Sequence, residues 1–403
     1  MSLTNILSRR RIIGFSALAT AVSCAFSAGQ TVAILSTHFI YRKDFVQFYL
    51  MGYALRAGAN LYAPIPELAA KFEPHLNEWL RVSAYPPIVA LIGLPLSYLP
   101  YFWAVVVWLL IEIGSLLTAV FLTVKRFGWR TAPTPVVITA CFFIGWQPIY
   151  MEITLGQLMI PILLLLTLTW LALRAGKDVQ AGVLLGIVVA IKLYAWPLVI
   201  FLFLARRRRS AFIAIAVVLA ANALMIATVG TSVVVDYYSR VGGTVLAEYV
   251  SDLWNFSAWS IGFRAAGTVG GIVLSFAVLC CSLLLALRSN DFETGFMIML
   301  IASTVLQPIS WIHYLVTLLP AFCFVANRQH FTRGEYALAL ILVVLILPGA
   351  YQGDAAYAAL LATWPPFLFI LGLLWLTART RARALREHTT FDDETELGAI
   401  SRV

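Results

Sequence analysis

The sequence predicts an all-α polytopic membrane protein, and three observations carry that expectation. First, hydrophobic residues make up 61% of the 403 and charged residues only 12%, with a mean hydropathy of +0.89; soluble chains carry about 25% charged residues. Second, apolar runs long enough to cross a bilayer, about 20 residues each, recur along most of the length. The backbone polar groups of such runs find no water in hydrocarbon, so each run must close its own hydrogen bonds as a helix. Third, the formal charge of +9 is unevenly distributed. Cations gather at Arg9 to Arg11, Lys125 to Arg130, Arg174 to Lys177, Arg206 to Arg209, Arg328 to Arg333 and Arg379 to Arg386, each beside an apolar run. This is the pattern of cytoplasmic helix ends, so the basic excess is a topology signal and no nucleic acid partner is expected. The five cysteines (Cys24, Cys141, Cys280, Cys281, Cys323) all fall in apolar segments without metal-ligand spacing. Neither a disulfide nor a metal site follows from them.

Taken in order, residues 9–36 have a basic start followed by an apolar stretch of about 25 residues, longer than the 7 to 15 of a signal peptide core. They read as an uncleaved first span with the N-terminus inside. Residues 37–100 are then a first external loop. Within it Asp44, Gln47, Phe48, Met51 and Leu55 recur at helical spacing and Gly58 stands where a terminating glycine belongs, which predicts a helix over 44–57 lying in the interface. A second short helix is expected over 66–80. The apolar run after Tyr85-Pro86-Pro87 is too brief to span and reads as re-entrant or interfacial.

Spans are expected over 101–124, 133–150 and 157–173, leaving Glu152, Gly156 and Gln157 at an external turn. Segment 180–205 is flanked by cations on both sides and broken by Lys192 and Pro197. Two half-helices with both ends cytoplasmic satisfy the charge rule and the length together, with Lys192 near their tip at membrane depth. A span over 210–229 leads to a second external loop, 231–264, and further spans cover 266–287, 293–308, 314–326, 335–349 and 362–378. The expectation is ten full spans plus the half-helix pair, one transmembrane domain over 1–380 with both termini cytoplasmic, and a disordered polar tail over 381–403.

Under this topology Asp44, Gln157, Asn255, Arg264 and His313 fall on the external side, and Lys192 points toward it from below. Ionisable groups at membrane depth are costly and usually face a cavity or a partner. Clustered Lys, Arg and His suit a phosphate, and a carboxylate beside them suits general-base work on a hydroxyl. Plainer readings compete. Asp44 occupies a helix N-cap position, Lys192 can snorkel, His313 and Trp311 can be interface anchors, and Glu152 and Gln157 can mark a helix end.

The order of motifs adds a family. Asp44-Phe45 before an aromatic-rich helix, Gly58-Ala59-Asn60-Leu61-Tyr62 and Tyr85-Pro86-Pro87 come first. Gly156-Gln157, Ala181-Gly182 to Lys192, Asn255-Phe256-Ser257 with Arg264 downstream, and Ser310-Trp311-Ile312-His313 follow. Over about residues 40 to 320 this resembles the GT-C-type glycosyltransferase family 87. The lysine that such proteins follow closely with proline is here followed by Leu193-Tyr194-Ala195-Trp196 before Pro197.

The resemblance implies a GT-C fold and an inverting hexosyltransferase, most often a mannosyltransferase, at the outer face of the cytoplasmic membrane. The donor would be a polyprenyl-phosphate sugar and the acceptor a lipid- or glycan-linked hydroxyl, with membrane lipids around them and no metal or cofactor. Asp44 matches the catalytic carboxylate. Lys192 and Arg264 match positions suited to the donor phosphate, and His313 either joins them or assists proton transfer. Gln157, Asn255, Tyr85, Tyr62 and Trp311 would line the substrate. Two rivals share some features: a transporter or flippase of lipid-linked sugars, and a non-catalytic scaffold of envelope assembly.

Overall fold

The computed structural model describes residues 44–72, 83–127, 147–289, 291–326 and most of 366–378. The expected first span, residues 73–80 of the second loop helix, most of 133–150, the 335–349 span and the tail lie outside them. Every regular element among the described residues is helical.

Helix α1 (Phe45–Arg56) ends as its sequence asks, with Arg56 in the last turn and Gly58 at φ +62, the left-handed conformation that closes helices. Its expected place on an interface is corrected, because every residue from Phe45 to Gly52 is buried. A helix apolar on all sides belongs in an interior. After α2 (Ile65–Phe72), a 3-10 turn over Pro87–Val89 leads into α3 (Ala90–Leu96), and α3 packs along α1. The two backbones touch at paired glycines: a Cβ on Gly93 would stand 1.8 Å from the carbonyl oxygen of Phe48, and one on Gly52 would stand 2.2 Å from the carbonyl carbon of Gly93. No flexible side chain is there to yield. Gly93→Ala is therefore expected to cost about 3 kcal/mol or more, the upper end of overpacking penalties. The measurement is the unfolding temperature in detergent; a wild-type value would contradict this packing.

Among the described residues three helices are long and apolar enough to cross a membrane: α4 (Tyr101–Arg126), then Arg208–Val229 and Ala258–Leu287. Large apolar side chains stand exposed on all of them, among them Trp103, Leu110, Phe212, Leu219, Val269 and Phe276. Apolar surface on that scale needs a non-aqueous surrounding. The protein is a membrane protein on this ground.

The other expected spans differ. After α5 (Gln147–Leu155), α6 (Met159–Arg174) has 16 residues, which at about 1.5 Å per residue is short of the roughly 30 Å of a bilayer core. The helix over Phe292–Leu306 has 15 residues and is buried along its whole length from Thr294 to Leu306. These are core helices enclosed by the longer ones. Segment 314–326 holds the end of a 3-10 helix, Ile312–Leu318, followed by Leu319–Ala326.

The half-helix pair is present as α7 (Asp178–Ile191) and α8 (Trp196–Leu204). Lys192 ends α7 in an extended conformation, φ −151 and ψ 121. Pro197 sits in the first turn of α8, where its missing N–H interrupts no helical bond. The delayed proline thus fixes the length of the connector that presents Lys192.

Helix α9 (Arg208–Val229) packs against α7. The expected long loop at 231–264 is corrected too: α10 (Thr231–Asp236), a π-helical turn (Tyr237–Val241) and α11 (Gly242–Tyr249) run on from one another. An exposed Asp236–Arg240 ion pair at 2.6 Å, one turn apart, supports that run. Helix α12 (Ala258–Leu287) begins with a Ser257 cap, whose hydroxyl accepts from the Ser260 N–H at 3.0 Å, and kinks at Ala266 and Gly267. Arg264 therefore stands in the opening turns of α12, and not in a loop. Helix α13 (Phe292–Leu306) starts from an Asp291 cap bonded to the Thr294 N–H at 2.7 Å, and α14 (Leu319–Ala326) follows the 3-10 helix.

Candidate active site

Asp44 sits at the N-cap position of α1, but its side chain makes no capping bond. Its Oδ2 accepts instead from Nε2 of Gln157 at 2.6 Å. The Oε1 of Gln157 accepts from the Tyr85 hydroxyl. The plain N-cap reading is thereby set aside.

Each member of this chain is aimed by its surroundings. Gln157 rides on the turn between α5 and α6, where Gly156 at φ +66 reverses the backbone, and the N–H groups of Gly156 and Gln157 both donate to the Glu152 carbonyl at 2.9 and 3.2 Å. Tyr85 is held from behind, since the Tyr62 hydroxyl donates to the Tyr85 carbonyl at 2.9 Å and the Tyr62 ring stacks on Tyr237 at 5.6 Å. The Ala84 N–H donates to Oε1 of Gln47 at 3.1 Å, tying the Tyr85 strand of chain to α1. Tyr62 thus supports Tyr85 from a buried position.

Lys192 is half-buried, with its Nζ 4.1 Å from the ring centre of Tyr314 and 5.7 Å from that of Tyr85. Aromatic faces attract a cation, so the ammonium is cradled next to the tyrosine that anchors Gln157. His313, 3% exposed, lies edge-on to Tyr314 at 4.6 Å, and its Nε2 has no hydrogen-bond partner among the described residues. Asp44, Gln157, Tyr85, Lys192 and His313 therefore gather in one place, brought there by five separate segments of chain. Burial pushes the Asp44 carboxyl up to about 6, against the hydrogen bond from Gln157 and the attraction of Lys192, which pull it down. A carboxylate so placed can take a proton near neutral pH.

Asn255 and Arg264 form a neighbouring cluster with a different task. Asn255 is wholly buried; its Nδ2 donates to the carbonyls of Tyr249 and Pro308, both at 3.1 Å, and its Oδ1 accepts from the N–H groups of Ser257 at 3.0 Å and Ser310 at 2.9 Å. An amide offers two donors and two acceptor lone pairs, so nothing remains for a sugar. The expected substrate-lining role of Asn255 is corrected to that of a fastener between residues 249–257 and 308–310. The Nη1 of Arg264 donates to the carbonyls of Asp252 at 2.6 Å and Asn255 at 3.0 Å and to the Ser260 hydroxyl at 2.7 Å, bracing the same loop. Trp311 packs edge-on against Tyr249 at 5.7 Å, and Tyr249 lies close enough to feel the charge of Asp44, so this cluster borders the first.

Two residues beside the site, Tyr314 and Glu152, were not read from sequence as part of it. Tyr314 has no signal beyond its place after His313. Glu152 had one, since an ionisable residue within an apolar segment is a functional candidate by default.

The fold and this arrangement define a class: a helical membrane protein with a hydrogen-bonded carboxylate and a cation at one site. Residues 84–306 match the model of Glycosyltransferase family 87, more than half of the chain, and the protein belongs to that family. The matched region contains Tyr85, Gln157, Lys192, Asn255 and Arg264, whereas Asp44 precedes it and His313 follows it. Two similar proteins are each named polyprenol-phosphate-mannose-dependent alpha-(1-2)-phosphatidylinositol pentamannoside mannosyltransferase. That of Mycobacterium tuberculosis (strain CDC 1551 / Oshkosh) is 26% identical over 250 residues, covering 59% of this chain and 56% of the relative. That of Mycolicibacterium smegmatis (strain ATCC 700084 / mc(2)155) is 25% identical over 251 residues, covering 59% of each. The chain thus spans less than two thirds of the length of these relatives.

Proposed function

We propose that the protein is an inverting hexosyltransferase that moves mannose from a polyprenyl-phosphate donor to a hydroxyl of a glycolipid or glycan. The observation that carries this reading is the meeting of Asp44, pinned through Oδ2 by Gln157, with the Lys192 ammonium held over Tyr85 and Tyr314. The names of the two similar proteins support the choice of donor and sugar.

In the proposed reaction Oδ1 of Asp44 takes the proton of the acceptor hydroxyl. The acceptor oxygen attacks the anomeric carbon from the face opposite the phosphate, the bond from that carbon to the phosphate oxygen breaks, and the polyprenyl phosphate leaves with the electron pair. Configuration inverts, and the proton ends on Asp44. Lys192 offsets the charge that grows on the leaving phosphate. The buried Nε2 of His313 suits either a phosphate oxygen or the transferred proton. The step balances without a metal or a cofactor. A GT-C arrangement with cytoplasmic termini and a site on the external face of the cytoplasmic membrane belongs to the same proposal.

The test is transfer of labelled mannose from polyprenyl-phosphate mannose to a membrane glycolipid by the purified protein in proteoliposomes. A glycosidic product is expected; sugar crossing the bilayer without one overturns the reading in favour of a transporter. The pH profile is a further check. Because Asp44 must be ionised to accept a proton and loses its proton at about 6 in the folded protein, kcat/KM is expected to fall on the acid side with an apparent pKa near that value. An acid limb at the ordinary carboxylate value of about 3.9 would separate Asp44 from the rate.

A further inference from the structure

Glu152, in α5, is wholly buried and does more than end a helix. Its carbonyl receives the N–H groups of Gly156 and Gln157. Its Oε1 receives those of Met159 and, at 3.0 Å, Ile160, two of the unpaired donors at the start of α6, whose own N-cap residue Leu158 supplies no side-chain bond. One residue therefore fixes both sides of the turn that carries Gln157.

The second oxygen needs a different explanation. Oε2 is buried and has no hydrogen-bond partner among the described residues. A cap needs only one acceptor, which a neutral glutamine would supply, and burying a carboxylate costs several kcal/mol unless a cation compensates. Burial holds the Glu152 carboxyl up, and the nearby Lys192 ammonium is the largest influence pulling it back down, although the four ion pairs among the described residues do not include a direct contact between the two. Asp44, His313, Tyr85 and Tyr314 also face the ammonium.

We propose that Glu152 is a positioning residue with two separable tasks: Oε1 fastens the turn that aims Gln157 at Asp44, and the charge carried on Oε2 holds the Lys192 ammonium at the donor side of the site. The term donor side rests on the function proposed above; the juxtaposition does not.

The test compares full-length Glu152→Gln, Glu152→Ala and wild type. Glu152→Gln keeps an oxygen for Met159 and Ile160 but loses the charge, so its unfolding temperature is expected to match the wild type while that of Glu152→Ala falls. Acylation of Lys192 by acetic anhydride, followed by mass spectrometry, is expected to run several-fold faster in Glu152→Gln, because less of the amine stays as ammonium without its carboxylate. In the transfer assay kcat of Glu152→Gln is expected to drop about tenfold to a hundredfold, as for misplaced reacting groups, with the acceptor KM unchanged. A wild-type acylation rate or a wild-type kcat in Glu152→Gln overturns the proposal. A wild type that transfers no sugar overturns the functional reading instead, and acylation then decides this proposal alone.

Discussion

Asp44→Asn is expected to lower kcat for mannosyl transfer about a hundredfold to ten-thousandfold, the range that a general base contributes, while the folded protein survives. Both parts follow from geometry. Asparagine keeps an oxygen for the Gln157 amide, so the chain from Asp44 to Tyr85 can persist, but it cannot take a proton from the acceptor. The stability part depends on the sign of the carboxyl shift. The folded carboxyl titrates at about 6 against an ordinary value of 3.8, so the folded state holds more protons between those values and stability falls as pH rises through that window. At neutral pH the ionised Asp44 is a net cost, and its replacement should leave the unfolding temperature equal or higher. Turnover in proteoliposomes and thermal unfolding in detergent check the two halves. Near-normal turnover would remove Asp44 from the chemistry, and a large loss of stability would return it to a structural role.

Lys192→Met is expected to reduce kcat/KM for the donor about a hundredfold to a thousandfold, the scale of losing one preorganised group that meets developing charge. Methionine fills a similar volume between Tyr85 and Tyr314 and carries no charge into the half-helix tip, so folding should be retained. The loss should appear with the donor and not in the acceptor KM, since the ammonium is assigned to the phosphate. Steady-state kinetics with each substrate varied in turn makes the distinction. A wild-type donor kcat/KM would assign Lys192 to the cradle of tyrosines alone.

Much of the site's position was legible in the chain itself. Lys192 and Pro197 announced a broken pair because a cation inside an apolar segment and a proline after it cannot belong to one continuous span, and α7 and α8 part there. Gly58 announced the end of α1, and Gly156 marks the turn that carries Gln157. Less legible was the difference between a residue that meets substrate and one that holds backbone. Asn255 and Arg264 look like site residues by type and spacing, and only their bonds to the carbonyls of Tyr249, Asp252, Asn255 and Pro308 reveal fasteners. Helix position was legible where spanning was not: α13 covers nearly the residues expected, but a helix enclosed by protein can be apolar all round without crossing a bilayer.

By itself, then, the sequence determined that the protein is helical, lives in a membrane, breaks at Lys192 and carries an acid at the head of its first described helix. Hydropathy, periodicity and helix punctuation are local properties, and they act within a few residues of where they are read. The tertiary structure decided what Asp44 does with its carboxylate. Its partner Gln157 is 113 residues away, and the Tyr85 that holds Gln157 is 72 residues from it. Such bonds exist because α1, α5, α6 and the half-helix tip pack together, and packing of that kind depends on the whole chain at once.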